Sequence, residues 1–205
     1  MYQPSHFAAP AGDACANLMR AHPLATLVTT QDGALTADAV PLLYDGAASL
    51  LRGHVARANP LWRLADGLSV LAVFSGPQAY VSPGWYPSKA TNPRVVPTWN
   101  YAVVHAHGRL RAVDDAPWLL DFLRRLTARH EADQQRPWSM DDAPADYLQQ
   151  MAGAIVGIEI AVERIEGKFK LSQNRSATDH AGVVAGLQAR PDVASQALSA
   201  LMKRD

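Results

Sequence analysis

Four prolines between positions 83 and 97 constrain the middle of this 205-residue chain more than any other feature. Each proline lacks a backbone N–H donor and fixes its own φ, so this stretch cannot continue as a helix or as a central strand. The stretch therefore predicts a loop on the surface. Large aromatic and polar side chains on such a loop suit the flat ring system of a ligand. The side chains in question are Trp85, Tyr86, Lys89, Arg94, Trp99, Asn100 and Tyr101.

Composition limits the class of protein. The hydrophobic content of 48% is enough for a packed core, and the 19 basic residues balance the 19 acidic ones. Because phosphate contacts dominate nucleic-acid affinity, a zero net charge argues against extensive DNA binding, although a local basic patch is compatible with it. We find no apolar run of membrane-spanning length and no signal-peptide pattern at the start. The single Cys15 cannot form an internal disulfide, and we expect a cytoplasmic protein.

Short strands predominate in the first half of the sequence. Gln31-Asp32-Gly33 and Asp45-Gly46 are tight turns between apolar, β-branched runs, which indicates an antiparallel sheet or barrel. A helix is expected over 14–22, and a second over 56–64 despite Pro60. One apolar strand should end at Gly76-Pro77, before a separate short strand. The predicted strands are 25–30, 35–44, 49–54, 68–75, 78–81 and 99–113.

Helices predominate later. Asp114-Asp115-Ala116-Pro117 is a strong start for a helix that runs to about His130. A short helix over 143–151 precedes the last apolar strand, 154–162. Residues 176–205 predict two helical pieces separated at Arg190-Pro191. We therefore expect one domain over 1–205, with a C-terminal helical extension at about 176–205.

Three polar stretches are candidate sites, each with a plainer alternative. Residues 52–60 lead from a strand towards a helix, so their backbone N–H groups and basic side chains could hold a phosphate, or could form a solvated basic turn. Residues 166–175 alternate lysines with apolar residues and then carry amides. They could reach an anionic ligand or form an edge strand with exposed lysines. His105 and His107 share a strand face, but no Cys, Asp or Glu stands at supporting spacing. We therefore expect half-buried histidines and no metal site.

Five segments together resemble the PaiB family, the FMN-binding negative transcriptional regulators. They are MYQPSHF, RGHVARANPLWR, VFSGPQAYVSPGWYPSK, VPTWNYAVVHAHGRLR and GKFKLSQNR, in the family's order and across nearly the whole chain. The resemblance implies a mainly β FMN-binding split barrel with added helices, related to pyridoxamine-phosphate oxidases and flavin reductases. It also implies a homodimer, whose interface we expect on the apolar strands 68–75 and 154–162.

The resemblance also implies cofactor residues. In the wider split-barrel group, a basic residue before Asn-Pro holds the flavin phosphate, which corresponds here to Arg57 and Asn59-Pro60 with His54 adjacent. The segment 168–171 resembles the place where oxidase relatives put a basic residue near the flavin. The pyridoxal-phosphate signature is not evident, nor is a helix-turn-helix for DNA. The candidate FMN-binding residues are His54, Arg57, Asn59, Ser82, Trp85, Lys89, Trp99, Asn100, Lys168, Lys170 and Gln173.

Three functions follow from this interpretation. The first is a homodimeric FMN-binding regulator that contacts DNA or another protein. The second is a flavin-dependent oxidoreductase that uses NAD(P)H or another donor, in which the flavin carries the electrons. The third is a non-catalytic module that binds flavin or haem. In any of them, Trp85, Tyr86 and Lys89 are expected to form a mobile flap over Trp99 and Asn100; alternatively, both tryptophans plug the end of the barrel.

Overall fold

The computed structural model describes residues 1–203, so Arg204 and Asp205, the end of the predicted C-terminal extension, lie outside the described residues. The chain forms two compact units. The first unit contains residues 1–21, 74–105 and the segment from Glu166 onward, and the second contains 22–73 and 106–165. The single domain with a C-terminal helical extension stays a prediction.

Within the described residues, seven strands form the sheet, in the order β2-β1-β5-β6-β7-β4-β3. The three longest strands, β5, β6 and β7, run through both units, whereas the other four belong to the second unit. A mainly β chain with added helices, as the sequence predicts, is confirmed. The strands are β1 Leu24–Gln31, β2 Ala34–Pro41, β3 Leu43–Asp45, β4 Leu50–Ala56, β5 Leu68–Val81, β6 Thr98–Val113 and β7 Ile155–Lys170.

The hairpin turns of the second unit form where the sequence predicts them. Asp32 and Gly33 both have positive φ (49° and 79°), which is the backbone that a two-residue hairpin turn requires. The turn sets the register of β1 and β2 from Leu24↔Pro41 to Gln31↔Ala34. The antiparallel pairing of β4 with β7 brings Arg52 opposite Glu159 and His54 opposite Gly157.

Two predictions of strand and helix limits between residues 35 and 64 are wrong. The predicted strand 35–44 is interrupted at Leu42, which separates β2 from β3. The predicted helix 56–64 is a continuation of β4 to Ala56 and then a single 3₁₀ turn, Pro60–Arg63. Asn59 caps that turn by accepting a hydrogen bond from the Leu61 N–H (2.9 Å), and proline at its first position is tolerated because no donor is needed there.

The expected break at Gly76-Pro77 is also wrong, since β5 continues through it. A Cβ on Gly76 would lie 2.9 Å from the Leu18 side chain and 3.1 Å from the Ala102 carbonyl oxygen. The glycine therefore marks a close approach of neighbouring elements and not a strand end.

Strand β7 is longer than the predicted 154–162, because it continues to Lys170. Gly167 and Phe169 are buried whereas Lys168 and Lys170 are partly exposed, which is the alternation of a strand with one covered face. Its last residues are covered by the N-terminal segment, where Ala8 pairs with Lys168 and the Ala9 N–H donates to the Gly167 carbonyl (2.8 Å). The alternative of an open edge strand is therefore wrong at this point.

The helices agree closely with the sequence. In the first unit α1 is Ala14–Ala21, α4 is Ala177–Gln188 and α5 is Val193–Met202, with the predicted break before Val193. In the second unit α2 is Ala116–Glu131 and α3 is Ala145–Gly153. Asp115 caps α2 by accepting from the Trp118 N–H (2.7 Å). Among the described residues, no helix is both long and apolar enough to cross a membrane.

Candidate functional site

Three basic side chains of the first unit, Lys168, Lys170 and Arg175, form what we call the cationic cluster. Lys168 and Lys170 are two residues apart on β7 and so project from the same face. The Lys168 ammonium lies 5.6 Å from the ring centre of Tyr101, and the Arg175 guanidinium lies 4.6 Å from that of Tyr86. Both distances are within the range of cation–π attraction.

Electrostatics within the cationic cluster favour an incoming anion. Burial lowers the pKa of the Lys170 ammonium, and the charges of Lys168 and Arg175 lower it further, although Tyr101 acts in the opposite direction. Lys170 donates a hydrogen bond to the Thr98 hydroxyl. Lys168 donates to a backbone carbonyl (3.2 Å). Within residues 1–203, none of the three cations forms an ion pair with a carboxylate. An anion placed here would relieve their mutual repulsion.

Asn100, on β6 between Trp99 and Tyr101, is fully buried. Its Nδ2 donates to the Ser172 hydroxyl (2.8 Å) and approaches the Met202 sulfur (3.7 Å), but its Oδ1 has no hydrogen-bond partner within residues 1–203. A buried acceptor left without a donor costs free energy, so this atom would be satisfied by a water or by a ligand N–H.

The aromatic segment, residues 82–90, is anchored to helix α4. Ser82 accepts from the Gly84 N–H (3.1 Å), which fixes the first turn of the segment. Trp85 lies against Gly186, where a Cβ would come within 2.3 Å of the indole. Lys89 is exposed. These contacts favour packing of Trp85 over the predicted mobile flap.

Trp99 occupies a different environment from Trp85. It is 54% exposed, and its ring meets that of Tyr80 edge to face with the centres 6.4 Å apart. The alternative in which both tryptophans plug the barrel is therefore wrong for Trp99. An exposed aromatic pair of this kind remains available to a planar molecule or to a protein surface.

Gln173 uses its amide locally. Its Oε1 accepts from the Leu171 N–H (2.7 Å) and its Nε2 donates to the Phe169 carbonyl, so it closes the turn that follows β7. Ser172 in the same turn has a positive φ of 65°. A role of Gln173 in binding the cofactor stays a prediction.

In the second unit, Arg57 is held by a carboxylate. Its Nη1 and Nη2 donate to both oxygens of Asp114 (2.9 and 2.6 Å), and its Nε and Nη2 donate to the carbonyls of Gly153 (2.7 Å) and Ile155 (3.2 Å). The hydrogen bond with Asp114 raises the pKa of Arg57 and lowers that of Asp114. A phosphate at Arg57 would compete with Asp114 for these donors, and the predicted contact stays a prediction.

The other two residues of that stretch are also in structural contacts. The Asn59 Nδ2 donates to the Asp38 carboxylate (3.0 Å), while its Oδ1 caps the following turn. The His54 Nδ1 is buried and has no hydrogen-bond partner in the described part of the chain, and the His54 ring lies 6.2 Å from that of Phe122 between centres. Burial lowers the pKa of His54, so it is neutral at pH 7.

Sequence reasoning missed Arg175 as a member of the cluster, although it ends the predicted anion-binding stretch 166–175. Tyr86 and Tyr101 were predicted to face a ligand, but their contacts with Arg175 and Lys168 were not predicted. His105 and His107 are half-buried, as predicted.

Comparison with known proteins gives both a family and a fold. Residues 1–164 match the family profile described as "Putative FMN-binding domain". The chain is 32% identical to the protease synthase and sporulation protein PAI 2 of Bacillus subtilis (strain 168) over 206 residues, which cover 99% of this chain and 97% of that protein. It is 33% identical to an uncharacterized protein of Emericella nidulans, covering 81% of this chain and 77% of that one.

Two solved structures share the fold. A FAD- and haem-binding protein from Mycobacterium smegmatis has a TM-score of 0.58 at 16% identity and covers 85% of this chain and 78% of its own. The flavocytochrome Anf3 from Azotobacter vinelandii has a TM-score of 0.59 at 16% identity and covers 85% and 75%. The predicted fold class, a mainly β split barrel with added helices, is confirmed.

Proposed function

Because this chain belongs to the PaiB family of FMN-binding proteins, we propose that it binds FMN through the cationic cluster and acts as a homodimeric, flavin-responsive regulator. The observation that carries the proposal is the grouping of Lys168, Lys170 and Arg175 beside the rings of Tyr2, Tyr86 and Tyr101. Among residues 1–203, none of the three cations is paired with a carboxylate.

The residues of the cluster fit the chemistry of FMN. The phosphate monoester of FMN carries close to two negative charges, and lysine and arginine donors form charge-assisted hydrogen bonds with such a group. The faces of Tyr101 and the exposed Trp99 suit the flat isoalloxazine ring. When bound, FMN supplies reversible electron uptake, while the chain binds the cofactor and orients it. Arg57, already paired with Asp114, is the rival position for the phosphate.

A homodimer is supported by the exposed apolar residues of the first unit. Tyr80, Val96 and Trp99 are 40%, 66% and 54% exposed. Aromatic residues of this kind are enriched in protein interfaces. The interface predicted on 154–162 has less support, because Val156 to Ile160 are already buried within a single chain. Sedimentation should give a dimer at micromolar concentration, and a monomer there would contradict the proposal.

The regulatory role is supported by the family and by the name of the Bacillus subtilis relative, which refers to protease synthase and sporulation. Extensive phosphate-backbone contact is not favoured by a net charge of zero. We therefore propose that the flavin state alters contacts with a protein partner or with a short DNA site.

Titration with FMN and with riboflavin tests the proposed site, since riboflavin lacks only the phosphate. Loss of one charge-assisted hydrogen bond costs about 1.5–3 kcal/mol, so Lys170→Met should weaken FMN binding by roughly ten- to a hundredfold. Riboflavin affinity should change little. Lys203→Met, which removes an exposed lysine, is the matched control. Unchanged FMN affinity of a folded Lys170→Met protein would refute the site.

The second candidate function is a flavin-dependent oxidoreductase. It is favoured by the exposed edge-to-face pair of Tyr80 and Trp99, which could receive a planar electron donor. The FMN-loaded protein should then oxidise NADH or NADPH faster than free FMN does. No such acceleration, together with a flavin-dependent footprint on DNA upstream of its own coding sequence, would favour the regulator. A haem spectrum without turnover would instead indicate a binding module.

A further inference from the structure

We propose that helix α4 sets the specificity of the cationic cluster for FMN, with Asp179 and Gly186 as positioning residues. They hold the aromatic segment, residues 82–90, so that Tyr86 lies under Arg175 and Arg175 is kept in place for the phosphate. This inference rests on the proposed function. It adds Asp179 and Gly186, which affect FMN binding through the aromatic segment and Arg175 and not by direct contact with the cofactor.

One face of α4 carries the contact with the aromatic segment. Asp179, Gly182 and Gly186 are three and four residues apart, so they line the same side of the helix. A Cβ on Gly182 would lie 2.1 Å from the Trp85 carbonyl oxygen and 2.9 Å from the Pro87 side chain. A Cβ on Gly186 would have three atoms of the Trp85 indole within 2.6 Å. The helix backbone thus touches the segment, and any side chain at either glycine would displace it.

Asp179 fixes the same segment by hydrogen bonds. Its side chain is buried (6% exposed) and accepts from both the N–H (3.0 Å) and the hydroxyl (2.8 Å) of Ser88. The two bonds from Ser88 lower the pKa of Asp179. Among the described residues the Asp179 carboxylate forms no ion pair with a cationic side chain, so Ser88 is its principal partner.

Arg175 joins this anchor to the cationic cluster. Its guanidinium lies over the ring of Tyr86, which is 2% exposed and belongs to the aromatic segment. Its charge contributes to lowering the pKa of both Lys170 and Asp179. If the segment moved off α4, Arg175 would lose the ring that orients it, and the cluster would lose one of its three cations.

The positioning elements lie beyond the part of the chain that matches the family profile. The profile covers residues 1–164, whereas Arg175, Asp179 and Gly186 all follow it. The preference for FMN over riboflavin is therefore expected to depend on a helix outside the profile.

The test compares FMN and riboflavin affinities in Asp179→Asn, Ser88→Ala and Gly186→Ala. Substitutions that act on a binding site through packed neighbouring residues typically change affinity by about two- to thirtyfold. We expect a loss of FMN affinity of that size in each variant, with riboflavin affinity unchanged. Because Asp179 and Ser88 act through one contact, the double variant should lose no more than the more affected single variant. Gly153→Ala is the matched control, since a Cβ there meets nothing within 4 Å.

Several outcomes would overturn the inference. A parallel loss of FMN and riboflavin affinity would indicate a merely structural role for α4, and so would unchanged FMN affinity in folded variants. If Gly186→Ala fails to fold, the Asp179 and Ser88 variants give the same comparison. Wild-type protein that does not prefer FMN to riboflavin would instead refute the proposed phosphate site itself.

Discussion

Glu159 provides a sharp test of how β4 and β7 are held together. Its side chain is 4% exposed, lies opposite Arg52 in the strand register, accepts from the Arg52 Nε (2.8 Å) and also bonds Arg111. Removing one partner of a buried ion pair typically costs about 3–5 kcal/mol. The cost here should be nearer about 3 kcal/mol, since Arg52 keeps Asp45 (2.8 Å) and the Arg111 side chain, 65% exposed, regains water.

The variant Glu159→Gln should therefore lower the free energy of unfolding, measured by urea denaturation at pH 7. Glu163→Gln on the same strand is the control, because the Glu163–Arg109 pair is 56% and 55% exposed. An exposed pair contributes about 1 kcal/mol at most. If the two variants are equally stable, the buried network does not stabilise β4 against β7.

The stabilising effect of Glu159 should also depend on pH. Burial acts to raise the pKa of Glu159, but hydrogen bonds from Arg52 and Arg111 outweigh it, so the pKa lies below its ordinary value of 4.5. The contribution is thus fully present above that value and is lost as the pH falls through the lower folded pKa. The stability difference between wild type and Glu159→Gln should shrink in acid.

Three further predictions concern the second unit. His54→Phe should reduce the loss of stability as the pH falls below the ordinary histidine pKa of 6.5, because burial lowers the pKa of His54 and only the unfolded state then binds the proton. Burial also lowers the pKa of His22, so part of the loss should remain. A wild-type denaturation midpoint that is flat over that range would contradict this. If Arg57 holds the phosphate, Arg57→Ala should weaken FMN binding by roughly ten- to a hundredfold. Asp114→Ala, which removes the partner of Arg57, should not weaken FMN binding. Equal FMN affinity in the two variants would show that Arg57 is not part of the site. Gly157→Val should lower the melting temperature, because even a Cβ there would lie 2.3 Å from the Trp118 ring, and unchanged melting would contradict that contact.

Local features of the sequence determined most of the secondary structure. The Asp32-Gly33 turn fixes the β1–β2 hairpin because glycine and aspartate tolerate positive φ. The cap at Asp115 starts α2 because its side chain satisfies a free backbone donor within three residues. These signals act between neighbours in the chain, so they can be predicted without knowledge of the fold. The strand end predicted at Gly76-Pro77 was wrong for the opposite reason, since the role of Gly76 depends on which elements pack beside it.

The membership of the candidate site was decided by the tertiary structure. Ser88 and Asp179 are separated by 91 residues, and Asn100 and Ser172 by 72. Nothing in the residue types selects Tyr86 as the partner of Arg175, or Asp114 as the partner of Arg57, from the other aromatic and acidic residues of the chain. Such pairs form where strand register and helix packing bring the side chains within hydrogen-bonding or ring-contact distance. The sequence therefore determined that aromatic and basic residues lie in and directly after the proline-rich stretch, and that lysines lie at the end of the last strand. Which of those cations remain without a carboxylate partner, and so can bind an anion, was decided only by packing.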